Sequence, residues 1–200
     1  AAFIGGSTAQ ATHAMNEWWG KEGMGTMPHA LLQLFKGDVV KATEAYHKTF
    51  PEDDLMALVD YNNDVITDSL KVARAFGEKL SAVRLDTSRT LVDQYFFRNP
   101  DLMGSFDPRG VNPELIFALR KALDTEGFQH VKICATGGFT EQRIREFEEK
   151  NVPVDMYGVG SSLLKVNINF TGDNVLLNGE PEAKQGRRYR PNPRLEKVEL

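Results

Sequence analysis

Polar and glycine residues follow five short apolar runs of this sequence, each at the point where the run ends. These endings lie at residues 5–8, 60–64, 84–88, 136–138 and 158–162. In parallel α/β folds the carboxyl ends of the strands meet at one face, and ligands bind there. The sequence therefore predicts that these segments form one ligand site.

Two of the endings are rich in glycine. Gly137 and Gly138 precede a predicted helix, and Gly160 precedes Ser161 and Ser162. Backbone N–H groups in such turns can bind phosphate, and the serine hydroxyls add donors. A single glycine pair at a strand end is commonly only a turn. Two glycine segments at the same face favour phosphate binding.

A third ending carries opposite charges. Arg84 and Asp86 are two residues apart, so both side chains lie on the same side of a strand. The pair could be purely structural. Beside two phosphate-binding turns, however, Arg84 is suited to binding pyrophosphate or the face of an aromatic ring. Asp86 could accept hydrogen bonds from ribose hydroxyls or bind Mg²⁺.

His29 lies in a separate segment, residues 25–30, between glycine-rich sequence and an apolar stretch. Taken alone, a histidine in this context is more often a hydrogen-bonded structural residue than a catalytic one. The same structural interpretation is favoured for His13, His47 and His130. Its neighbour Thr26 gains meaning only from the resemblance described below.

The elements that must position these residues are strands and amphipathic helices in alternation. Continuous apolar runs at 2–5, 55–60, 82–86, 131–136 and 154–159 are typical of buried parallel strands. Helices are predicted over 36–49 and 64–76, from Pro113 onward, and after a cap at Thr140. This order predicts an α/β fold with right-handed crossovers. Periodicity does not separate an open sheet from a closed barrel.

The sequence changes character after Gly160. Residues 165–170 alternate, Gly172-Asp173 can turn, and 175–177 run back, which predicts a hairpin. Asn178-Gly179 offers a second turn. We therefore predict a first domain over residues 1–164 and a β extension from another layer over residues 165–200.

Composition excludes several classes of protein. With 200 residues, 41% hydrophobic and 26% charged, the chain can bury one sizeable core. A net charge of −4 gives no attraction to nucleic acid, and no apolar run suits a membrane span. Cys134 is the only cysteine, which fits a cytoplasmic location. The chain lacks an initiator Met and a signal peptide, so we expect further sequence upstream.

Five motifs resemble, in order, those of the nicotinate phosphoribosyltransferases. They are GTMPHALL, similar to a Gly-Thr-x-x-His motif; ALVDYNND and AVRLDTS, similar to two aspartate-bearing strands; KICATGGFTEQRI; and VDMYGVGSSLL, similar to a Gly-Val-Gly-Thr phosphate loop. Each motif is modest alone, but the ordered set covers residues 5 to about 165 and is specific to the family.

The resemblance implies a type II phosphoribosyltransferase fold, an irregular α/β barrel paired with a sandwich domain built from the two ends of the chain. Residues 1–164 would form the barrel, incomplete at its N-terminus, and residues 165–200 would join the sandwich. The implied reaction of NAD biosynthesis joins nicotinate to phosphoribosyl pyrophosphate, with Mg²⁺ and coupled ATP hydrolysis. The resemblance also implies a homodimer with shared active sites. We expect it to be cytoplasmic and to bind neither nucleic acid nor a membrane.

The same resemblance implies roles for individual residues. His29 would be phosphorylated, Arg84 would contact pyrophosphate or pyridine, and Asp60 and Asp86 would bind ribose or metal. The remaining candidates are substrate-binding residues: Thr26, Gly137, Gly138, Gly160, Ser161 and Ser162. The chain departs from the family after Asp60, at Arg89 and at Ser161, which places it in a divergent subgroup.

Three alternatives remain open at this point. A quinolinate or nicotinamide phosphoribosyltransferase is the nearest, although the Gly-Thr-x-x-His motif argues against a quinolinate enzyme. A barrel that binds a phosphorylated ligand without turnover is the alternative from another class. A sugar-phosphate aldolase ranks below both, because the strand ends offer no Schiff-base lysine.

Overall fold

The computed structural model describes residues 5–11, 13–20, 23–165, 169 and 172–196. The helices are α1 (His13–Glu17), α2 (His29–Leu34), α3 (Val39–Thr49), α4 (Val65–Phe76), α5 (Gln94–Arg98), α6 (Pro113–Thr125), α7 (Glu141–Glu149) and α8 (Ser161–Leu164). The strands are β1 (Leu55–Leu58), β2 (Leu80–Leu85), β3 (Lys132–Ala135), β4 (Met156–Tyr157), β5 (Leu176–Leu177) and β6 (Glu180–Pro181). In this part of the chain, no helix has the length and apolar character that crossing a membrane requires.

Strands β1 to β4 form a parallel sheet in sequence order, with helices in the crossovers. Side chains alternate between its two faces. Val83 and Ile133 belong to the main core, where α3 packs on β1 and α4 packs on β2. Ala82 and Cys134 belong to a smaller cluster with Met56. The predicted α/β fold with a parallel sheet is therefore confirmed.

The closed barrel expected from the resemblance is not found among the described residues. Strands β1 and β4 are the two edges of an open four-stranded sheet, and they do not pair with each other. Closure requires additional strands between these edges. The predicted first strand, at residues 2–5, falls almost wholly outside the described residues.

Three of the predicted helices begin at a capping side chain, whereas α4 begins after Asp64 without such a hydrogen bond. Asp38 accepts a hydrogen bond from the backbone N–H of Lys41, and Asn112 caps α6 ahead of Pro113. Thr140 caps α7 as predicted. Helix α3 starts later than expected, because Lys36 and Gly37 adopt positive φ angles that end α2 and start a turn.

Residues Leu164–Leu200 form a separate compact unit of the chain. Its β5 and β6 make an antiparallel hairpin around Asn178-Gly179, whose φ angles of 51° and 88° suit a two-residue turn. Most of the first arm of the predicted hairpin, residues 165–170, lies outside the described residues. Its membership of a sandwich domain stays a prediction.

Candidate active site

One row of side chains crosses the sheet just beyond the strand ends. The register aligns Leu58, Arg84, Cys134 and Met156 on the four strands. Two residues further along each strand lie Asp60, Asp86, Thr136 and Gly158, which we name the polar row. Backbone bonds continue the pairing to this point, from Thr136 N to Leu85 O (2.8 Å) and from Gly158 N to Ala135 O (2.9 Å). The polar row therefore lies at the carboxyl edge of the sheet.

Arg84, two residues before this row on β2, forms a closed network with its members Asp86 and Thr136. Arg84 Nη2 donates to Asp86 Oδ2 at 2.8 Å, and Arg84 Nε donates to Thr136 Oγ1 at 3.2 Å. Thr136 Oγ1 in turn lies 2.8 Å from Asp86 Oδ1. The Arg84 and Asp86 side chains are 19% and 26% exposed, so the pair is partly enclosed yet open to a ligand.

His29 and Asp60 form a second pair at the same edge. His29 begins α2, and its Nε2 lies 3.1 Å from Asp60 Oδ1. The Asp60 side chain is 5% exposed and that of His29 is 46% exposed. Burial raises the pKa of Asp60, His29 lowers it, and the nearby carboxylate of Asp86 raises it further. The imidazole is thus open to a ligand and is held by an enclosed carboxyl group.

Thr26 connects the segment before α2 to the sheet. Its Oγ1 donates to the backbone oxygen of Met56 in β1 at 3.1 Å. The next residue, Met27, is fully buried in the core. Thr26 therefore fixes the position of the His29 segment in this structure, and its predicted contact with substrate stays a prediction.

The turn at Gly137 and Gly138 follows β3 and adjoins Asp86. Their φ angles of +93° and +71° require glycine, and a Cβ on Gly137 would lie 3.4 Å from Asp86 Oδ1. The carbonyl of Gly137 accepts from Arg143 Nη1 at 2.8 Å, and that of Gly138 accepts from Arg89 Nη2 at 3.2 Å. In trans peptides the next N–H points the opposite way. The turn therefore directs two N–H groups away from these guanidinium groups.

Arg143 supports this turn from beneath. Its guanidinium lies 4.3 Å from the ring centre of Phe139 and 5.7 Å from that of Phe147, and it also donates to Val111 O. Burial and the neighbouring charge of Arg89 lower the pKa of Arg143. Neither arginine is recognisable as a site residue from the sequence, because only folding brings them to the glycine carbonyls.

The third predicted phosphate segment lies beside the row but is less tightly built. Gly160 and Ser161 are exposed and Ser162 is half-buried, at the start of the short helix α8. Gly158, two residues earlier, belongs to the polar row. Among the contacts of the described residues, no hydrogen bond joins Gly160, Ser161 or Ser162 to the other predicted site residues. Their role in binding phosphate stays a prediction.

The loop after β1 is held by α5, a helix that the sequence analysis did not predict. Asn63 adopts a φ angle of 53°, and its Nδ2 donates to Val92 O at 2.5 Å. Arg98 forms two hydrogen bonds with Asp64. Asp93 caps α5 by accepting from Tyr95 N and also accepts from the first backbone N–H of α4. Helix α5 therefore fixes the segment that follows Asp60.

Asp93 gives this connection a pH dependence. Burial raises its pKa. A raised pKa in the folded state means that Asp93 stabilises the fold most below its unfolded pKa, and that this contribution is lost as pH rises through the folded pKa. We expect the free energy of unfolding of Asp93→Asn, relative to wild type, to increase between about pH 4 and 7 in urea titrations. A decrease over that range would contradict the assignment.

Asp107→Asn is the control, because its stability relative to wild type should depend on pH in the opposite direction. Hydrogen bonds from Arg109 lower the pKa of Asp107 to about 2. Its contribution is present above the unfolded pKa and is lost as pH falls toward 2. The wild-type advantage over Asp107→Asn should therefore shrink in acid, and its size should be small because both side chains are exposed.

The described residues hold no group of three or more His, Cys, Asp or Glu side chains placed to bind a metal ion. Asp60 and Asp86 are the two carboxylates that the polar row offers. Asp60 is bonded to His29, and Asp86 to Arg84 and Thr136. Any cation here would take most of its ligands from water or from a bound phosphate, as Mg²⁺ commonly does.

Two surface grooves are lined by residues that do not belong to the polar row. One adjoins the amino end of β3 and is lined by Arg120, Asp124 and Lys132, among others. The other lies within the second unit, between Val175 and Tyr189. Arg120 is already bonded to Asp124 and to the Val131 carbonyl, which indicates a structural role. The candidate chemistry therefore belongs to the polar row and not to these grooves.

Several known proteins resemble this chain in sequence and in fold. No family model matches the chain. It is 28% identical over 167 residues to the nicotinate phosphoribosyltransferase pncB2 of Mycobacterium tuberculosis, and 26% identical over 169 residues to the nicotinate phosphoribosyltransferase of Bacillus subtilis. This chain is similar to nicotinate phosphoribosyltransferases. The resemblance inferred from the five motifs is confirmed, and the names are those of enzymes.

The similarity to nicotinate phosphoribosyltransferases covers a part of those proteins. Each alignment spans 82% of this chain but only 31% and 29% of the two relatives. A solved nicotinate-nucleotide pyrophosphorylase from Pyrococcus furiosus matches 94% of this chain and 43% of its own, with a TM-score of 0.70 and 33% identity. Human nicotinic acid phosphoribosyltransferase matches at a TM-score of 0.51, 15% identity, 79% of this chain and 39% of its own, which supports the fold alone.

Proposed function

We propose that the protein carrying this chain transfers a phosphoribosyl group from phosphoribosyl pyrophosphate to nicotinate, giving nicotinate mononucleotide and pyrophosphate. The observation that supports it most is the Arg84–Asp86–Thr136 network beside the glycine turn, at the carboxyl edge of a parallel sheet. The names of the two bacterial relatives describe this transfer. The name of the Pyrococcus furiosus protein describes the same bond in reverse.

The chemistry requires charge to be stabilised where it develops. Pyrophosphate leaves the anomeric carbon through an oxocarbenium-like state, so its growing negative charge needs fixed donors. Arg84 supplies a guanidinium fixed by two hydrogen bonds, and the turn at Gly137 and Gly138 supplies N–H groups for the 5′-phosphate. Asp60 and Asp86 can accept hydrogen bonds from ribose hydroxyls. Together these groups align the sugar with the pyridine nitrogen.

Magnesium fits this proposal as a partner of the substrate. Asp60 and Asp86 lie on neighbouring strands, close enough for one charge to raise the pKa of the other. Two carboxylates with substrate phosphates are a common environment for Mg²⁺. When bound, the ion would neutralise charge on the pyrophosphate.

Four narrower features of the proposal remain predictions. They are a closed barrel completed by residues outside the described sheet, a sandwich domain that includes residues 165–200, a homodimer with shared sites, and a cytoplasmic location. The first two would require chain beyond the matched segment, and the bacterial relatives are about three times longer than that segment.

A substrate panel tests the proposal. Pyrophosphate release by the complete protein should be measured with phosphoribosyl pyrophosphate and each of nicotinate, nicotinamide and quinolinate. We expect release with nicotinate, stimulated by ATP. Release with only one of the other two pyridines would assign that enzyme instead. Calorimetric binding of phosphoribosyl pyrophosphate without release for any pyridine would support the non-catalytic barrel.

His29 carries the proposed coupling to ATP. Its Nε2 is bonded to Asp60, which leaves Nδ1 as the ring nitrogen able to accept a phosphoryl group. We expect His29→Ala to abolish the ATP stimulation of pyrophosphate release. His130→Ala is the matched control, because His130 is bonded to the Gly77 carbonyl and lies in no predicted site. Full ATP stimulation in His29→Ala would remove the phosphohistidine role.

A further inference from the structure

We propose that Thr136 is a positioning residue that fixes the orientation of the Arg84 and Asp86 side chains. We also propose that the absence of a side chain at Gly158 allows Thr136 to adopt this position. The consequence for turnover rests on the proposed phosphoribosyl transfer. The geometric part concerns contacts within this chain and can be tested without turnover.

The hydroxyl of Thr136 completes the network around Asp86. Thr136 Oγ1 accepts from Arg84 Nε at 3.2 Å, and its single proton lies between Asp86 Oδ1 at 2.8 Å and Leu85 O at 2.9 Å. Because Arg84 also donates to Asp86 Oδ2, three side chains close one ring of hydrogen bonds. Removing the hydroxyl would leave Arg84 Nε and Asp86 Oδ1 without this partner in a partly enclosed place.

Gly158 fixes the orientation of that hydroxyl. A Cβ at position 158 would lie 2.4 Å from Thr136 Cγ2 and 3.2 Å from Thr136 Cβ, closer than atoms can approach without movement. The φ angle of Gly158 is not in the left-handed region, so its backbone does not require glycine. Glycine is required at position 158 because the Thr136 methyl occupies the space that a side chain would need. That methyl against β4 leaves Oγ1 directed at Arg84 and Asp86.

Two substitutions at Thr136 separate the hydroxyl from the methyl. Thr136→Val keeps the shape and removes the hydrogen bonds, while Thr136→Ser keeps the hydroxyl. In the complete protein we expect kcat for pyrophosphate release to fall by about 10- to 100-fold in Thr136→Val, since a displaced group of this kind has such effects. Thr136→Ser should lose less kcat than Thr136→Val, because its hydroxyl remains although the methyl that orients it is gone, and KM should change less than kcat in both.

The matched control is Thr43→Val. Thr43 is buried; its hydroxyl donates to Val39 O within α3, lies 3.9 Å from Met27 Sδ, and has no hydrogen bond to a residue of the polar row. It should lose a buried threonine hydrogen bond without lowering kcat. A Thr136→Val variant as active as wild type, or a Thr136→Ser variant as impaired as Thr136→Val, would overturn the proposal.

The role of Gly158 is tested by a double-mutant cycle. We expect Gly158→Ala to lower the midpoint of urea unfolding, and Thr136→Ser to restore part of the loss because it removes Cγ2. Additive effects of the two substitutions would overturn the contact.

A crystal structure of Thr136→Val should show Arg84 or Asp86 displaced, and unchanged positions would overturn the positioning role. If wild type releases no pyrophosphate with any pyridine, the proposed function fails, while these two measurements still decide the geometry.

Discussion

Replacing Arg84 with lysine is expected to lower kcat for pyrophosphate release by about 100-fold or more, the usual cost of losing a fixed donor to a developing charge. Lysine keeps the positive charge but lacks the planar fork that reaches Thr136 and Asp86 together. The melting temperature should change little, because the side chain is partly exposed. Steady-state assays with nicotinate in the complete protein provide the measurement.

Arg109→Lys is a closely matched control for this result. Arg109 also forms a bidentate pair with an aspartate two residues away: its Nε and Nη2 lie 2.8 and 2.7 Å from the carboxylate oxygens of Asp107. This pair is exposed and lies outside the polar row. It should leave kcat unchanged. Equal kcat values for Arg84→Lys and wild type would mean that the Arg84–Asp86 pair is structural only.

Truncation of Phe96 is expected to destabilise the fold by about 3–5 kcal/mol, as for other buried phenylalanines. Phe96 is fully buried on α5, with edge-to-face contacts to Tyr95 and Phe106 at centroid distances of 5.3 and 5.4 Å. Phe96→Ala would therefore loosen the helix that holds Asn63 and Asp64. Urea unfolding measures the loss of stability.

The adjacent residue supplies the comparison for Phe96→Ala. Phe97 follows it in the same helix but is 58% exposed. Phe97→Ala should cost far less, since surface substitutions usually fall within about 0.5 kcal/mol. Similar losses in the two variants would contradict the described orientation of α5.

The sequence predicted the parallel sheet and its longer helices because their signals are local. Continuous apolar runs predicted the four strands of the parallel sheet, and Asp38, Asn112 and Thr140 begin helices at caps with oxygen-bearing side chains. Short helices were missed. Helix α2 starts at His29 after Pro28, which provides no side-chain cap, and the five residues of α5 carry too little periodicity to detect.

The sequence proposes residues for the candidate site but does not predict most of the contacts between them. Arg84 and Asp86 were paired from their spacing, and the structure does join them. The His29–Asp60 contact spans 31 positions, which local pattern cannot supply. Arg143 contacts the glycine turn only because two phenyl rings hold its guanidinium. Long-range packing of this kind is absent from any local pattern.

The polar row takes one residue from each of four adjacent strands, and this has a consequence for what could be accommodated there. Neighbouring strands are about 4.8 Å apart, so the row spans roughly 14 Å from its first member to its last. The interval is fixed by the backbone and not by the side chains. An engineered change of ligand could therefore exchange the side chains at positions 60, 86 and 136 one strand at a time, with glycine kept at position 158, while the spacing of the row would stay the same.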